Sequence, residues 1–258
     1  MSGLEYYFDL GNTRAKFWRC QDGHVEAHSA LPHEGSPAKV LMALPSEFDR
    51  QPRAIFGISV LGEEVDADFA EAVVNRWGVR PAFARSGRCF GALKSAYLLE
   101  PERLGIDRWL GMIASARECE VICVVGCGTA VTIDVVEGMV HLGGYILPGL
   151  ALMEGALRGG TRKVRYDGGA PASIGLGADT GAAVRNGALA AVVALVEKLV
   201  HEHGASRLVL TGGDADIIAA QLAPSCEVDS GLLLKGMLRY FENAHDPHGM
   251  GASAKGGE

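Results

Sequence analysis

Residues able to do chemistry gather in a few short stretches of this chain. The first is Asp9-Leu10-Gly11-Asn12-Thr13-Arg14-Ala15-Lys16, framed by apolar residues from Tyr6 to Trp18. Gly11 lets the backbone approach a ligand and take turn angles closed to other residues. Successive turn amides form an anion-holding nest. Asn12, Thr13 and Arg14 add donors, and Lys16 adds a point charge. Asp9 offers the hard oxygen that a hydrated magnesium ion prefers. The same residues also read as an Asn-containing turn with solvated charges.

A second stretch, GCGTAVTID at 126–134, repeats the small-Gly-Thr pattern without a base. It would act through backbone amides and the Thr129 and Thr132 hydroxyls, or simply form the polar face of a half-buried strand. TGGDAD at 211–216 joins a strand to a helix. Gly212 and Gly213 would let a flat ligand come close, while Asp214 reads as a helix N-cap. In LGIDRW at 104–109, Asp107 stands in the first turn of a helix beside Arg108. That is either a favourable acid at the positive helix end or a general base, with Arg108 orienting an anion. GGYILPG at 143–149 reads as a strand-turn-helix joint. RGGTRKVRY at 158–166 reads as a loop, either solvated or able to meet an anionic substrate.

The elements that must carry these stretches follow from periodicity and punctuation. Strands are expected at 4–10, in AKFWRC and in VEAHSAL, then a helix in SPAKVLMAL and a strand in RAIFGISV. EEVDADFAEAVVNRWG and GIDRWLGMIASARE read as helices. The pattern then restarts with three strand-like runs between Glu120 and Gly149. Helices follow in LALMEGAL and in the long DTGAAVRNGALAAVVALVEKLVHEHG; SRLVLTGG is a strand, and DADIIAAQLA and LLLKGMLRYFENA are helices. The tail 246–258 is small, polar and Gly-rich and reads as disordered. Hairpin-linked strands followed by α/β units imply mixed sheets with helices on both faces. Two such units suggest an internal duplication with a ligand cleft between the halves, divided at 1–117 and 118–245.

Composition narrows the function classes. With 258 residues, 48% hydrophobic, the chain can bury a large core. A net charge of −7 without a long basic run argues against nucleic acid and anionic membrane. No apolar stretch approaches the roughly 20 residues of a membrane span. The N-terminal MSGLEYYFDL carries acids and no basic flank, so it does not read as a signal peptide, and the cytoplasm is the expected compartment. Cys119, Cys123 and Cys127 recur every fourth residue, a spacing that hints at a metal cluster, but EVICVVG reads as a buried strand. The six cysteines are therefore expected to be reduced, structural thiols.

In their order and spacing, DLGNTRAK, LGIDRW, GTAVTID, GGYILPG and TGGDAD resemble type III pantothenate kinase, over roughly residues 4–243. The resemblance implies two ribonuclease-H-like domains of the actin-like ATPase class. It implies phosphorylation of pantothenate by ATP with magnesium, the first step of coenzyme A synthesis, by a homodimer. Asp9 through Lys16 would form the first ATP phosphate loop, with Asp9 near magnesium, and Thr129 would touch ATP from the second loop. Gly212 and Gly213 would serve the adenosine. Gly105, Ile106, Asp107 and Arg108 would contact pantothenate, with Asp107 as proton acceptor, joined by Tyr97 and Thr180.

Two departures stand out. The family's second loop carries an Asp that binds potassium or ammonium; here that position is Gly126, so no ligand for such a cation is named. AYLLEPERLG also carries one residue more than the family pattern between Tyr97 and Pro101. A non-catalytic nucleotide-binding accessory protein and a nucleotide hydrolase on the same fold remain alternatives at this stage.

Overall fold

The fold is that of a computed structural model, which describes residues 3–160, 166, 169 and 173–244. The strands are β1 (Leu4–Leu10), β2 (Arg14–Gln21), β3 (His24–Pro32), β4 (Ala54–Ser59), β5 (Ala82–Phe83), β6 (Cys89–Phe90), β7 (Leu93–Lys94), β8 (Val121–Cys127), β9 (Ala130–Glu137), β10 (Val140–Pro148), β11 (Arg207–Thr211) and β12 (Glu227–Val228). The helices are α1 (Pro37–Val40), α2 (Glu63–Trp77), α3 (Ile106–Ser115), α4 (Leu150–Gly160), α5 (Thr180–His203), α6 (Ala215–Ala219) and α7 (Leu232–Ala244).

The described chain divides into two compact units. The first takes the chain up to Gly87, Glu102–Leu110 and the chain from Leu234; the second takes Arg88–Pro101 and Gly111–Leu233.

In the first unit the sheet runs β3-β2-β1-β4-β5. β1 pairs antiparallel with β2 and parallel with β4, and β2 pairs antiparallel with β3. Every residue of β1 is buried, as expected of a central strand covered on both faces. Its core is aromatic: Tyr6 packs edge-on against Phe48 and Trp77, and Phe8 edge-on against Phe83 and tilted against Phe69. α7 belongs here too, with Phe241 stacked on Phe56 at 4.5 Å. α2 has Glu63, Glu64 and Asp66 in its first turn and ends at Gly78, whose φ of 69° is the left-handed C-cap.

The second unit repeats that topology. Its sheet runs β12-β11-β8-β9-β10-β7-β6. β8 is antiparallel to β9 and parallel to β11, and β9 is antiparallel to β10. So β8 stands where β1 stands, and β11 where β4 stands. This is the ribonuclease-H-like arrangement in duplicate, as the restart of the sequence pattern implied. The core here is aliphatic, built from Val125, Ile133, Leu189, Val193 and Leu210 among others. α5 is capped at both ends: Asp179 accepts from the Ala182 N–H at 2.8 Å, and Gly204 closes it at φ 59°.

Some expectations are corrected. SPAKVLMAL forms only the short α1 followed by a single tighter turn at Leu41–Ala43, because Pro45 forecloses further helix. Asp214 stands at the N-cap position of α6 but its side chain makes no capping bond; its backbone N–H instead reaches the Cys127 carbonyl at 3.1 Å. Residues 158–160 of the expected loop close α4, and 161–165 lie outside the described residues, as does the tail 246–258. All six cysteines are free, and no metal-holding group of His, Cys, Asp or Glu occurs among the described residues. Burial pushes the Cys123 and Cys127 thiols up to about 12, which makes them inert structural groups.

Candidate active site

In the first unit the expected charged residues lie on one hairpin and one helix start. The register of β1 and β2 sets Asp9 directly opposite Lys16, and directly opposed residues share a face. The Lys16 Nζ donates to Asp9 Oδ2 at 3.2 Å. Between the last pair, Leu10 and Ala15, lies a four-residue turn, closed by the Gly11 N–H donating to the Arg14 carbonyl at 3.0 Å. Asn12, Thr13 and Arg14 are exposed on it. Leu10 and Ala15 are fully buried and frame the turn.

Asp9 itself is only 7% exposed. Burial raises its pKa, Lys16 pulls it back down, and the Asp107 carboxylate pushes it up again. That last contribution places the two acids of the expected site within electrostatic reach of each other.

Asp107 is exposed at the start of α3, whereas Arg108 beside it is 6% exposed. Asp107 Oδ1 accepts from the Arg108 N–H at 2.9 Å, which fixes the carboxylate against the helix start. The Gly105 carbonyl accepts the first helical bond, from Trp109. A Cβ on Gly105 would stand 2.7 Å from Asp107 Oδ1. Glycine is therefore needed here for close approach. Gly105→Ala should cost about 1 kcal/mol of stability or less but swing the carboxylate aside, lowering turnover by about 10²-fold. A steady-state rate equal to wild type would show that Gly105 does not set the carboxylate's position.

In the second unit the corresponding turn carries neutral groups. Cys127 and Val131 are the last pair before its turn, which holds three residues instead of four. The Gly128 N–H donates to the Ala130 carbonyl at 3.1 Å, and Thr129 is exposed. Two other expected stretches converge on this turn. The Gly149 N–H of the LPG joint donates to the Thr129 carbonyl at 2.8 Å. Gly212, at φ 108°, brings its α-carbon so near Cys127 that a Cβ would stand 2.2 Å from that carbonyl oxygen. Gly213 beside it is exposed with open space around it. Thr180 is the exposed first residue of α5. Tyr97 is half-buried, its ring parallel to that of His141 within 6° at 6.3 Å.

Counting back from the two turns, Gly126 is the counterpart of Asp9, and its partner Thr132 the counterpart of Lys16. A Cβ at Gly126 would stand 2.6 Å from Thr132 Oγ1. A hydroxyl thus occupies the place where the stem of an acid would lie.

Sequence reasoning missed two histidines. His33 Nε2 lies 2.7 Å from the Gly11 carbonyl oxygen, and its ring is buried. His141 is fully buried, with Nε2 3.0 Å from Asp134 Oδ1. Neither has a neighbour in sequence that signals a role; the pairing of β9 with β10 brings Asp134 to His141, and the turn after β3 brings Gly11 to His33.

The duplicated topology, the glycine-thronged turns and the paired acids agree with what the chain is similar to. Two solved structures share the fold. A Baf family protein from Campylobacter jejuni matches with a TM-score of 0.62 at 22% identity, covering 93% of this chain and 99% of that one. Component A of (R)-2-hydroxyglutaryl-CoA dehydratase from Acidaminococcus fermentans matches with a TM-score of 0.52 at 12% identity, covering 95% and 100%. In sequence, the type III pantothenate kinase of Psychrobacter arcticus is 36% identical over 240 residues, 92% of this chain and 98% of its own. That of Acinetobacter baylyi is 37% identical over 240 residues, 93% and 98%. The family model described as type III pantothenate kinase matches residues 6–202. By that match, and by relatives of this identity along nearly their whole length, the chain belongs to the type III pantothenate kinase family.

Proposed function

We propose that the chain transfers the γ-phosphoryl group of ATP to the primary hydroxyl of pantothenate, giving ADP and 4′-phosphopantothenate, the first step of coenzyme A synthesis. The observation that carries this reading is the pair of acids in the first unit. A buried Asp9 bonded to Lys16 stands beside an amide-rich turn, within electrostatic reach of an exposed Asp107.

The hydroxyl oxygen attacks the γ-phosphorus in line. The bond from that phosphorus to the β,γ-bridging oxygen breaks, and its electron pair leaves with ADP. The hydroxyl proton passes to Asp107. Arg14, Lys16 and the Asn12 and Thr13 amides of the turn hold the phosphates, so positioning and charge stabilisation supply most of the acceleration. Thr129 contacts ATP from the second turn, and Gly212 and Gly213 receive the adenosine. Gly105, Ile106, Arg108, Tyr97 and Thr180 contact pantothenate; Arg108, being buried, would meet the carboxylate in a desolvated setting where a charged pair counts for more.

The buried carboxylate of Asp9 is the donor a hydrated magnesium ion prefers, and when bound the ion would shield phosphate charge. Potassium or ammonium fits less well: Gly126 has no carboxylate, and Thr132 offers only a neutral hydroxyl. No step is assigned to either cation.

The test is coupled ADP release, measured with and without pantothenate and with potassium varied. Release that requires pantothenate and is insensitive to potassium is expected. Release without acceptor would make the chain a hydrolase, and none under any condition an accessory nucleotide-binding protein.

We further propose a homodimer. Among the described residues, Tyr145 and Ile146 on β10 and Leu152 and Leu157 on α4 are large apolar side chains 44–63% exposed, surface that a second copy of the chain would cover. Light scattering should return twice the chain mass, and Ile146→Glu should return one. No helix among the described residues is long and apolar enough to cross a membrane. The six free cysteines favour a reducing, cytoplasmic setting.

A further inference from the structure

We propose that His33 is a positioning residue that sets ATP affinity by gripping the Gly11 carbonyl, without touching the nucleotide. This rests on reading the 11–14 turn as the phosphate loop.

His33 follows β3 and is 5% exposed. Its Nδ1 accepts the Gly35 N–H at 3.1 Å. A ring nitrogen that accepts carries no proton, so in the neutral ring the proton is on Nε2. Nε2 then donates to the Gly11 carbonyl at 2.7 Å. The His33 backbone N–H also donates to the Thr13 carbonyl at 3.4 Å, and its own carbonyl accepts the Ser36 N–H at 2.7 Å. One residue thus holds two carbonyls of a four-residue turn and is itself tied from behind.

The consequence lies in the peptide plane. In a trans peptide the carbonyl of one residue and the N–H of the next point in opposite directions. Drawing the Gly11 carbonyl onto His33 turns the Asn12 N–H the other way. Asn12 is an exposed residue of the turn, and on the phosphate-loop reading this N–H is the one that meets the anion. Gly11 would otherwise leave the peptide free to rotate, and a turn amide that must be oriented at binding costs affinity that a preset one does not.

Two substitutions separate this role from plain support of the 33–36 turn. His33→Gln keeps a donor at the reach of Nε2 and gives up the acceptor at Nδ1. His33→Asn keeps an acceptor for Gly35 and gives up the donor to Gly11. The readouts are equilibrium affinity for a non-hydrolysable ATP analogue and for adenosine, with the KM for pantothenate. His33→Asn should weaken the analogue on the order of 10-fold and leave adenosine and pantothenate unchanged, with His33→Gln near wild type. Equal losses in both variants, or equal losses for adenosine and analogue, overturn the inference. Lys16→Gln and Arg14→Gln form the control. If they weaken the analogue while His33→Asn does not, His33 alone is misread; if they change nothing, the phosphate-loop reading fails and takes this one with it. Imidazole nitrogen NMR on the unsubstituted chain needs no variant: His33 must show the Nε2–H tautomer, and the opposite tautomer refutes the grip.

Discussion

Replacing Asp107 by Asn lowers kcat by about 10²–10⁴-fold, the range expected for loss of a positioned general base. The substitution is close to isosteric. Asn retains an oxygen to accept the Arg108 N–H that now bonds Asp107 Oδ1 at 2.9 Å, so the start of α3 is kept. What it loses is the ability to take a proton. Affinity for ATP should hold. Asp107 pushes the Asp9 carboxyl up, so its neutralisation lets Asp9 ionise more readily and leaves the phosphate side no weaker. Single-turnover rates together with a nucleotide titration check both halves. Near-wild-type turnover would remove Asp107 from the role of base.

Replacing Asp9 by Asn should lower kcat/KM for ATP by about 10²-fold without lowering stability at neutral pH. The sign follows from linkage. Burial first of all raises the Asp9 pKa above its ordinary 3.8 in the folded chain. The folded state therefore binds this proton more tightly than the unfolded state. Its contribution to stability is fully present below 3.8 and is lost as pH rises through the folded value. Asn carries no such cost, and Lys16, its side chain 42% exposed, can fall back on water. Binding of magnesium and ATP runs the opposite way, since it calls for the carboxylate: affinity should strengthen with pH across that window in the wild type, and less in Asp9→Asn. Denaturation and nucleotide titrations at several pH values measure both. Identical pH profiles for the two proteins would show that Asp9 does not control nucleotide binding.

The duplicated fold was legible because each half opens on a hairpin whose turn is written in glycine and threonine, and because α2 and α5 carry their caps in sequence. Asp107 at a helix start was legible for the same reason. Other features depend on distant partners. β5, β6 and β7 are two residues each, too short for any alternation to show. Asp214 has the residue type and place of a cap, yet its backbone is committed to Cys127. Chain order does not reveal that α7 packs with the first unit, because that rests on Phe241 meeting Phe56. The ion pair of Asp9 with Lys16 needs the hairpin register, and His33 needs the turn after β3. A lone histidine amid scattered ones gives no local sign that a carbonyl lies 2.7 Å from its ring.

The crowding between residues 126 and 132 couples the two positions. A side chain at 126 would place its Cβ 2.6 Å from where the Thr132 hydroxyl now stands. Thr132 would have to turn that hydroxyl aside to admit it. Gly126→Asp and Thr132→Ala are therefore expected to be non-additive in stability, the acid being better tolerated once the hydroxyl is gone. The neutral character of the second turn is thus a property of the pair and not of the glycine alone.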